Sequence, residues 1–308
     1  MSEYPIRKVE RSQAKAFEPI GSKPKFWFRE GPRELLFKAD DRGTGEDWAE
    51  KITCELCRLL GLPHVEYELA TEVRDGSDFL PGVVCENMSP RPTNLALGNE
   101  LLFEIDPGYP REKRFKVRQH TVDNVLEIVT TLDPPEAPWM RHVPTEINSA
   151  LDVFVGYVLL DAWVANQDRH HENWAAIRDG DVLRLAPTFD HGAALARNLL
   201  DSEREERLAT KDRNRTMAAF VRKGRSAFYG SREAKRPLEL KSAWQAFASH
   251  ASGAAKAWLD RLRAIEADQT AEIIDQVPAS RMSAISKSFT IKLLEANQQR
   301  LLERNEAA

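Results

Sequence analysis

Cysteine is scarce in this chain, with three residues in 308. That is too few for a disulfide framework and predicts a reducing compartment, the cytoplasm. The opening residues, Met1-Ser2-Glu3-Tyr4, lack the apolar stretch of a signal peptide, so no secretory leader is expected. Long hydrophobic runs are missing as well. The longest, Val153 to Leu160, stops at Asp161, far short of the roughly 20 residues that cross a bilayer. Neither sign of charge dominates: 44 basic and 48 acidic residues leave a formal charge of −4, so no chain-wide positive field draws in nucleic acid or a membrane surface. Internal repeats and low-complexity tracts are absent too. These absences exclude secreted, disulfide-stapled, collagenous and membrane-spanning proteins. At 42% hydrophobic and 30% charged residues, the composition is globular, with chain enough for one large domain or two lobes.

The first part reads as strands around one helix. Lys25 to Phe28 is short and aromatic, Arg29-Glu30-Gly31-Pro32 supplies a turn, and Leu35, Leu36 and Phe37 form a strand ending in Lys38. Thr44, three residues before Asp47, forms an acidic variant of the capping box, and Gly61 closes the helix it opens. Trp48, Ile52, Leu56, Leu59 and Leu60 recur at helical spacing and predict one buried face. Val65, Tyr67 and Leu69 alternate with Glu66 and Glu68 as a half-exposed strand, and Asp75-Gly76-Ser77 turns the chain into another from Phe79 to Cys85. The expected order is strand, strand, helix, strand, strand. After Glu86-Asn87 prolines punctuate the chain. Helices are expected over Thr121 to Leu132, over Thr145 to Val164, and from Lys241 onward with a break at Val277-Pro278. The prediction is an α+β protein with a small β-rich lobe over residues 1–88 and a larger, mainly helical lobe over 89–308.

The densest polar cluster is Asn166-Gln167-Asp168-Arg169-His170-His171-Glu172-Asn173, placed where an apolar helix releases the chain. Beyond it, Trp174 to Ile177 and Val182 to Leu185 read as a hairpin, with Asp179-Gly180 as the turn signal. Its antiparallel arms bring Asn173, before the first, near Asp190, after the second, so Asp168, Asn173 and Asp190 are expected to converge. An amide and a carboxylate oxygen at such a point suit a hard cation that carries phosphates. In phosphoryl transfer an Asn and one Asp hold Mg²⁺ while another Asp positions the attacking hydroxyl, and Asp-x-x-x-x-Asn is the spacing of kinase catalytic loops. Asp190-His191-Gly192 stands where those enzymes place Asp-Phe-Gly. Lys38 ends a hydrophobic strand like the phosphate-pairing lysine of kinases, and Glu50 in the next helix is its expected ion-pair partner, since a lone buried lysine is costly. Gly21-Ser22-Lys23-Pro24-Lys25 is a candidate phosphate loop presenting backbone amides and Lys25.

These residues resemble the HipA-like serine/threonine kinases of bacteria, in particular the shorter forms without the extra N-terminal subdomain of HipA. The matching pieces are Leu36-Phe37-Lys38, Glu50 ahead of Gly61-Leu62-Pro63, the string from Asn166 to Asn173, Ala186-Pro187-Thr188-Phe189-Asp190, and the helices around Val277-Pro278; they run in order through residues 20 to 300. The resemblance implies a two-lobed protein-kinase-like fold that holds ATP and Mg²⁺ between its lobes. Asp168 is then the catalytic aspartate, Asn173 and Asp190 are the metal ligands, Lys38 is the nucleotide lysine and Glu50 its partner. Gly21, Ser22, Lys25, Cys85 and Glu86 complete the nucleotide site. The family includes toxins restrained by antitoxin partners, and some members phosphorylate aminoacyl-tRNA synthetases, so a protein substrate and an antitoxin partner are implied. A serine in the phosphate loop of such kinases is a site of inhibitory autophosphorylation, which points to Ser22. Two departures stand out: the loop has one glycine instead of Gly-x-Gly-x-x-Gly, and His191 replaces the usual aromatic residue.

Competing readings remain. Asp and Asn also cap helices and turns. The histidines with Asp168 and Asp190 suggest a metallohydrolase, but His-x-x-x-His spacing is absent, so His170 is expected to pack and hydrogen-bond within its loop. Cys54-Glu55-Leu56-Cys57 lies mid-helix, which favours apolar packing over redox chemistry. The basic stretches Arg111 to Arg118 and Lys211 to Arg225 read as solvated loops. Two other functions stay open: a lipid or small-alcohol kinase, because Asp-Arg-His-x-x-Asn also resembles lipid-kinase loops, and a nucleotide-binding scaffold without catalysis.

Overall fold

The computed structural model describes residues 2–17 and 24–303. Two strands precede those expected from the sequence: β1 (Arg7–Glu10) and β2 (Ala16–Phe17), joined by a 3-10 turn at Arg11–Gln13. There follow β3 (Lys25–Glu30), β4 (Arg33–Ala39), α1 (Glu46–Leu60), β5 (Tyr67–Arg74) and β6 (Ser77–Glu86). They form one sheet in the order β1-β5-β6-β4-β3-β2, antiparallel except for the β1–β5 pair. β1 is only four residues long with a single buried side chain, Val9, too short for an alternating pattern to stand out. β5 is more buried than its alternation implied, with only Glu68 fully exposed, because α1 and β1 both pack on it.

The helix α1 starts differently from the expected capping box. Its N-cap is Gly45 at φ 87, and no side chain caps it there. The Asp40 carboxylate instead accepts from the backbone N–H groups of Thr44, Gly45 and Glu46 at 3.2, 2.7 and 3.0 Å, which satisfies the orphan donors from the loop side. Asp47 is drawn elsewhere, onto Arg281 at 2.7 Å. At the other end Gly61 closes the helix as expected, at φ +80, and a Cβ there would meet the His142 carbonyl oxygen at 2.2 Å.

The rest of the chain adds β7 (Asn94–Leu97), α2 (Gly98–Ile105), α3 (Val122–Val129), α4 (Ala150–Val164), β8 (Ala175–Asp179), β9 (Val182–Leu185), α5 (Asp201–Ala209), α6 (Met217–Val221), α7 (Leu240–Ala248), α8 (Ser252–Arg263), α9 (Ala267–Asp275) and α10 (Ala284–Leu302). β7 pairs with β8, so the expected hairpin is a three-stranded sheet. Asp179 pairs with Val182, which makes Gly180-Asp181 the turn. The α4 helix begins five residues later than its apolar pattern suggested. Ser149 and Asp152 form a reciprocal capping box there, at 3.1 and 3.0 Å. Its residues are buried nearly all round, with α3, α7, α8 and α10 against it, the position of a central core helix. Burial on every side fixes where α4 ends, and the polar loop that follows inherits that fixed position.

Candidate active site

The loop after α4 is built on one buried ion pair. Asp161, inside α4, would be costly alone. Arg169 meets it with two parallel hydrogen bonds of 2.8 and 2.7 Å, and Asn166 adds a third at 2.8 Å. The same guanidinium donates to the Asn173 carbonyl at 3.0 Å and to the Thr188 hydroxyl at 2.8 Å. Arg169 therefore holds both ends of the cluster and the strand leading to Asp190. Asn173 donates its carboxamide N–H to the Asp168 carbonyl at 2.6 Å, which leaves its carboxamide oxygen as the atom available to a cation.

Across a cleft of about 470 Å³, β4 presents Lys38. Its Nζ lies 2.6 Å from Glu50 Oε1 and 3.0 Å from Asp190 Oδ1, and 5.4 Å from the centre of the Tyr67 ring. Burial works against the ammonium, but Asp190 and Glu50 outweigh it and hold its pKa well above the ordinary lysine value. Glu50 also accepts from the His191 backbone N–H at 2.8 Å, so one carboxylate fixes both the lysine and the residue after Asp190. Asp190 sits at φ 57, a left-handed conformation uncommon outside glycine. His191 is buried and held to Thr188 Oγ1 at 2.8 Å; desolvation keeps its pKa well below the ordinary histidine value and the ring neutral. This accounts for a histidine where an aromatic was expected: it packs like one and closes a hydrogen bond to the Arg169 network.

Lys25, Lys38, Cys85, Glu86, Asn173 and Asp190 all line the cleft. Lys25 pairs with Lys38 across β3 and β4. Gly21 and Ser22 lie outside the described residues. Asp168 is only partly gathered in: it lines the neighbouring pocket with Gln167, His170 and Tyr229, and touches Asn173 through its main chain. The convergence of all three polar residues on one small volume is thus a convergence on the wall between two spaces. His170 packs as expected, with Nδ1 3.1 Å from Glu172 N and Nε2 3.0 Å from Arg114 Nε; chiefly burial, aided by Arg114, lowers its pKa to about 3. Cys54 and Cys57 are buried free thiols within α1, as expected.

Two residues escaped the sequence reading. Arg114, in a stretch read as solvated loop, turns inward and lines both the cleft and the neighbouring pocket. Nothing in its local charge pattern separates it from Arg111 or Arg118. Arg197 donates to the Gly192 carbonyl at 2.9 Å, to the Thr44 hydroxyl and to Glu46, fastening the segment after Asp190 to the start of α1. Its position shortly after the Asp190 motif was the only available signal. The two oxygen donors of Asn173 and Asp190 fit a hard divalent cation such as Mg²⁺.

No protein-family model matches the chain, and no curated protein matches it in sequence. Solved structures do. Over 97% of this chain and 96% of the other, the fold matches the Helicobacter pylori proinflammatory kinase CtkA with a TM-score of 0.70 at 18% identity. It also matches HipA from a Shewanella oneidensis toxin–antitoxin system, solved with HipB and operator DNA, over 94% of this chain and 68% of that one, with a TM-score of 0.55 at 11% identity. The chain has a two-lobed, protein-kinase-like α+β fold, and the resemblance to HipA-like kinases read from its motifs is borne out at the level of the fold.

Proposed function

We propose that the protein transfers the γ-phosphoryl group of ATP, with Mg²⁺, to a serine or threonine hydroxyl of a protein substrate. The lobes divide near residue 88, where β6 passes into the linker beside the cleft. The observation that carries this reading is the joint hold of Glu50 and Asp190 on Lys38, with Asn173 lining the same cleft. Lys38 binds phosphate oxygens, and Glu50 orients its ammonium while fixing the His191 amide. Leu36, Val65, Met88 and Phe189 offer apolar surface to a planar base, and Cys85 and Glu86 edge that surface. Asn173 and Asp190 hold Mg²⁺, which, when bound, neutralises the charge of the phosphates. Asp168, in the adjoining pocket, orients the acceptor hydroxyl and takes its proton at the carboxylate. Arg114 lines both spaces, so its guanidinium is placed to meet the phosphoryl oxygens between donor and acceptor.

No helix among the described residues is long and apolar enough to cross a membrane. A cytoplasmic location and a protein acceptor, rather than a lipid, belong to this reading through the motif resemblance. A restraining antitoxin is part of the same reading, supported by the HipA neighbour having been solved with HipB. An aminoacyl-tRNA synthetase as substrate, and control through Ser22, rest on the motif resemblance. The test supplies γ-labelled ATP and Mg²⁺ with protein acceptors, phosphoinositide vesicles and small alcohols in parallel. Label recovered as phosphoserine or phosphothreonine supports the reading. Label in lipid or alcohol replaces the acceptor class, and bound nucleotide without transfer leaves a scaffold.

A further inference from the structure

Three side chains outside the cleft converge in a way that kinase chemistry does not use. Cys54 projects from α1, and His64 and Glu66 come from the segment between α1 and β5. One ligand atom from each lies within 4.8 Å of the others. His64 is oriented by its Nδ1, which is 2.6 Å from the Leu62 carbonyl and must donate to it. That turns Nε2 toward Glu66. This atom is buried, makes no hydrogen bond, and lies 3.2 Å from Glu66 Oε1. The imidazole nitrogen and the carboxylate oxygen face each other across a gap that either a proton on Nε2 or a metal cation between them fills. A backbone carbonyl fixing the tautomer so that Nε2 faces outward is also how metal-binding histidines are commonly set.

The remaining contacts are compatible. Cys54 Sγ is 3.4 Å from Glu66 Oε2, and pairs of ligand atoms around tetrahedral zinc stand roughly 3.3–3.6 Å apart. Arg58 bonds both Glu66 and Glu55, and so steadies the carboxylate from outside. We propose that Cys54, His64 and Glu66 form a metal site for a borderline-soft divalent cation such as Zn²⁺. A sulfur, an imidazole nitrogen and a carboxylate oxygen select that class over Mg²⁺, which takes oxygen donors. Binding exchanges the Cys54 S–H bond for S–metal; the proton passes to solvent and nothing changes oxidation state. The two anionic ligands balance the cation's charge. His64 and Glu66 also line a cavity of about 240 Å³, which gives a cation a route to the site.

The site is placed to brace the catalytic residues. Cys54 lies four residues after Glu50, on the same face of α1. On either side of His64, the Pro63 carbonyl accepts from Thr188 N at 2.9 Å and Val65 N donates to the Thr188 carbonyl at 3.0 Å. Thr188 stands two residues before Asp190. A bound cation therefore clamps α1 to the segment that carries Asp190.

Co²⁺ serves as the probe, added to the full chain after treatment with chelator and without Mg²⁺. The expected result is one equivalent of Co²⁺ bound with a thiolate-to-cobalt charge-transfer band, displaced by one equivalent of Zn²⁺. Cys54→Ala removes the band, His64→Gln weakens Co²⁺ binding by about tenfold or more, and Cys57→Ala leaves both unchanged. Circular dichroism establishes that each variant is folded, and His64→Gln, a partly exposed position, keeps the test intact if Cys54→Ala is not. No charge-transfer band in the wild-type chain overturns the proposal, as does a band of full intensity in folded Cys54→Ala or unweakened binding in folded His64→Gln. Because neither nucleotide nor phosphoryl transfer enters this readout, the kinase reading stands or falls separately.

Discussion

Two buried ion pairs lie on opposite sides of the cleft, and they are finished to different degrees. Beneath the polar loop, Arg169 and Asp161 are desolvated and closely matched: the guanidinium meets Asp161 twice and spends two more of its five donors on Asn173 and Thr188. On the sheet side, Lys38 and Glu50 are nearly as deeply placed, but the ammonium also reaches Asp190, which is 28% exposed at the cleft. A planar guanidinium has a fixed set of donors and suits a permanent joint. An ammonium is a point charge whose second partner can be exchanged, and under the proposed function a phosphate oxygen takes the place of Asp190 as that carboxylate turns to a cation. The matched pair holds the polar loop in place; in the proposed reading, the pair with an exchangeable partner operates the site.

The largest expected effect comes from the exchangeable side. Asp190→Ala lowers phosphoryl transfer by about a thousandfold or more, since several kcal/mol of transition-state stabilisation depend on the cation. It leaves the fold intact because Lys38 keeps Glu50. Rates at saturating Mg²⁺ together with thermal unfolding check this; activity within a few-fold of wild type contradicts the metal assignment. On the matched side the loss falls on stability. Arg169→Ala strands the Asp161 carboxylate and costs about 3–5 kcal/mol in urea unfolding. Replacing both partners at once, Arg169→Met with Asp161→Leu, costs much less. If Arg169→Ala unfolds like wild type, the contrast between the two pairs is wrong.

Lys38→Ala lowers ATP use by about a hundredfold, and Glu50→Ala by less, because the glutamate acts through the lysine. Their combined loss is smaller than the product of the single losses, as expected for contacting residues. Multiplicative losses in a double-mutant cycle separate them.

The smallest effect concerns the neutral histidines that line the neighbouring pocket. Burial holds His120 and His170 at pKa values of about 3 and His171 at about 4, all below the unfolded value of 6.5. The unfolded chain therefore binds protons that the fold refuses. Their contribution is fully present above pH 6.5 and is lost as pH falls toward the folded values. For the fully buried His120 the loss is about 2 kcal/mol between pH 7 and pH 5. His120→Phe flattens that slope in urea unfolding series at the two pH values; an unchanged slope assigns the acid sensitivity elsewhere.

Much of this was legible in the sequence where a local rule and the tertiary demand agreed. The placement of Lys38, Glu50, Asn173 and Asp190 around one cleft was legible because an apolar strand, a helix and a hairpin each carry their own signal, and a hairpin forces its flanks together. Legibility failed where the partner is remote. Thr44 and Asp47 match a capping rule, yet Asp40 caps α1 because the loop folds back over it, and Asp47 answers Arg281, distant in sequence. The β1 strand is recognisable only by its parallel pairing to β5. Arg114 and Arg197 look like any surface arginine until the chain closes around them. Asp168 was read correctly as a neighbour of Asn173, but which of two adjoining spaces its carboxylate lines depends on the path of the 114–120 and 226–237 segments, which no spacing encodes.

The central claim is that this cleft carries out phosphoryl transfer with Asp168 serving the acceptor. Intact-mass measurement after incubation with ATP and Mg²⁺ tests it most directly, with Asp168→Ala alongside as a folded control. The account predicts that the wild-type chain, or a protein acceptor supplied with it, gains mass in steps of one phosphoryl group while the variant binds nucleotide and transfers nothing. Nucleotide binding without any mass gain in the wild type, or equal gain in Asp168→Ala, contradicts it.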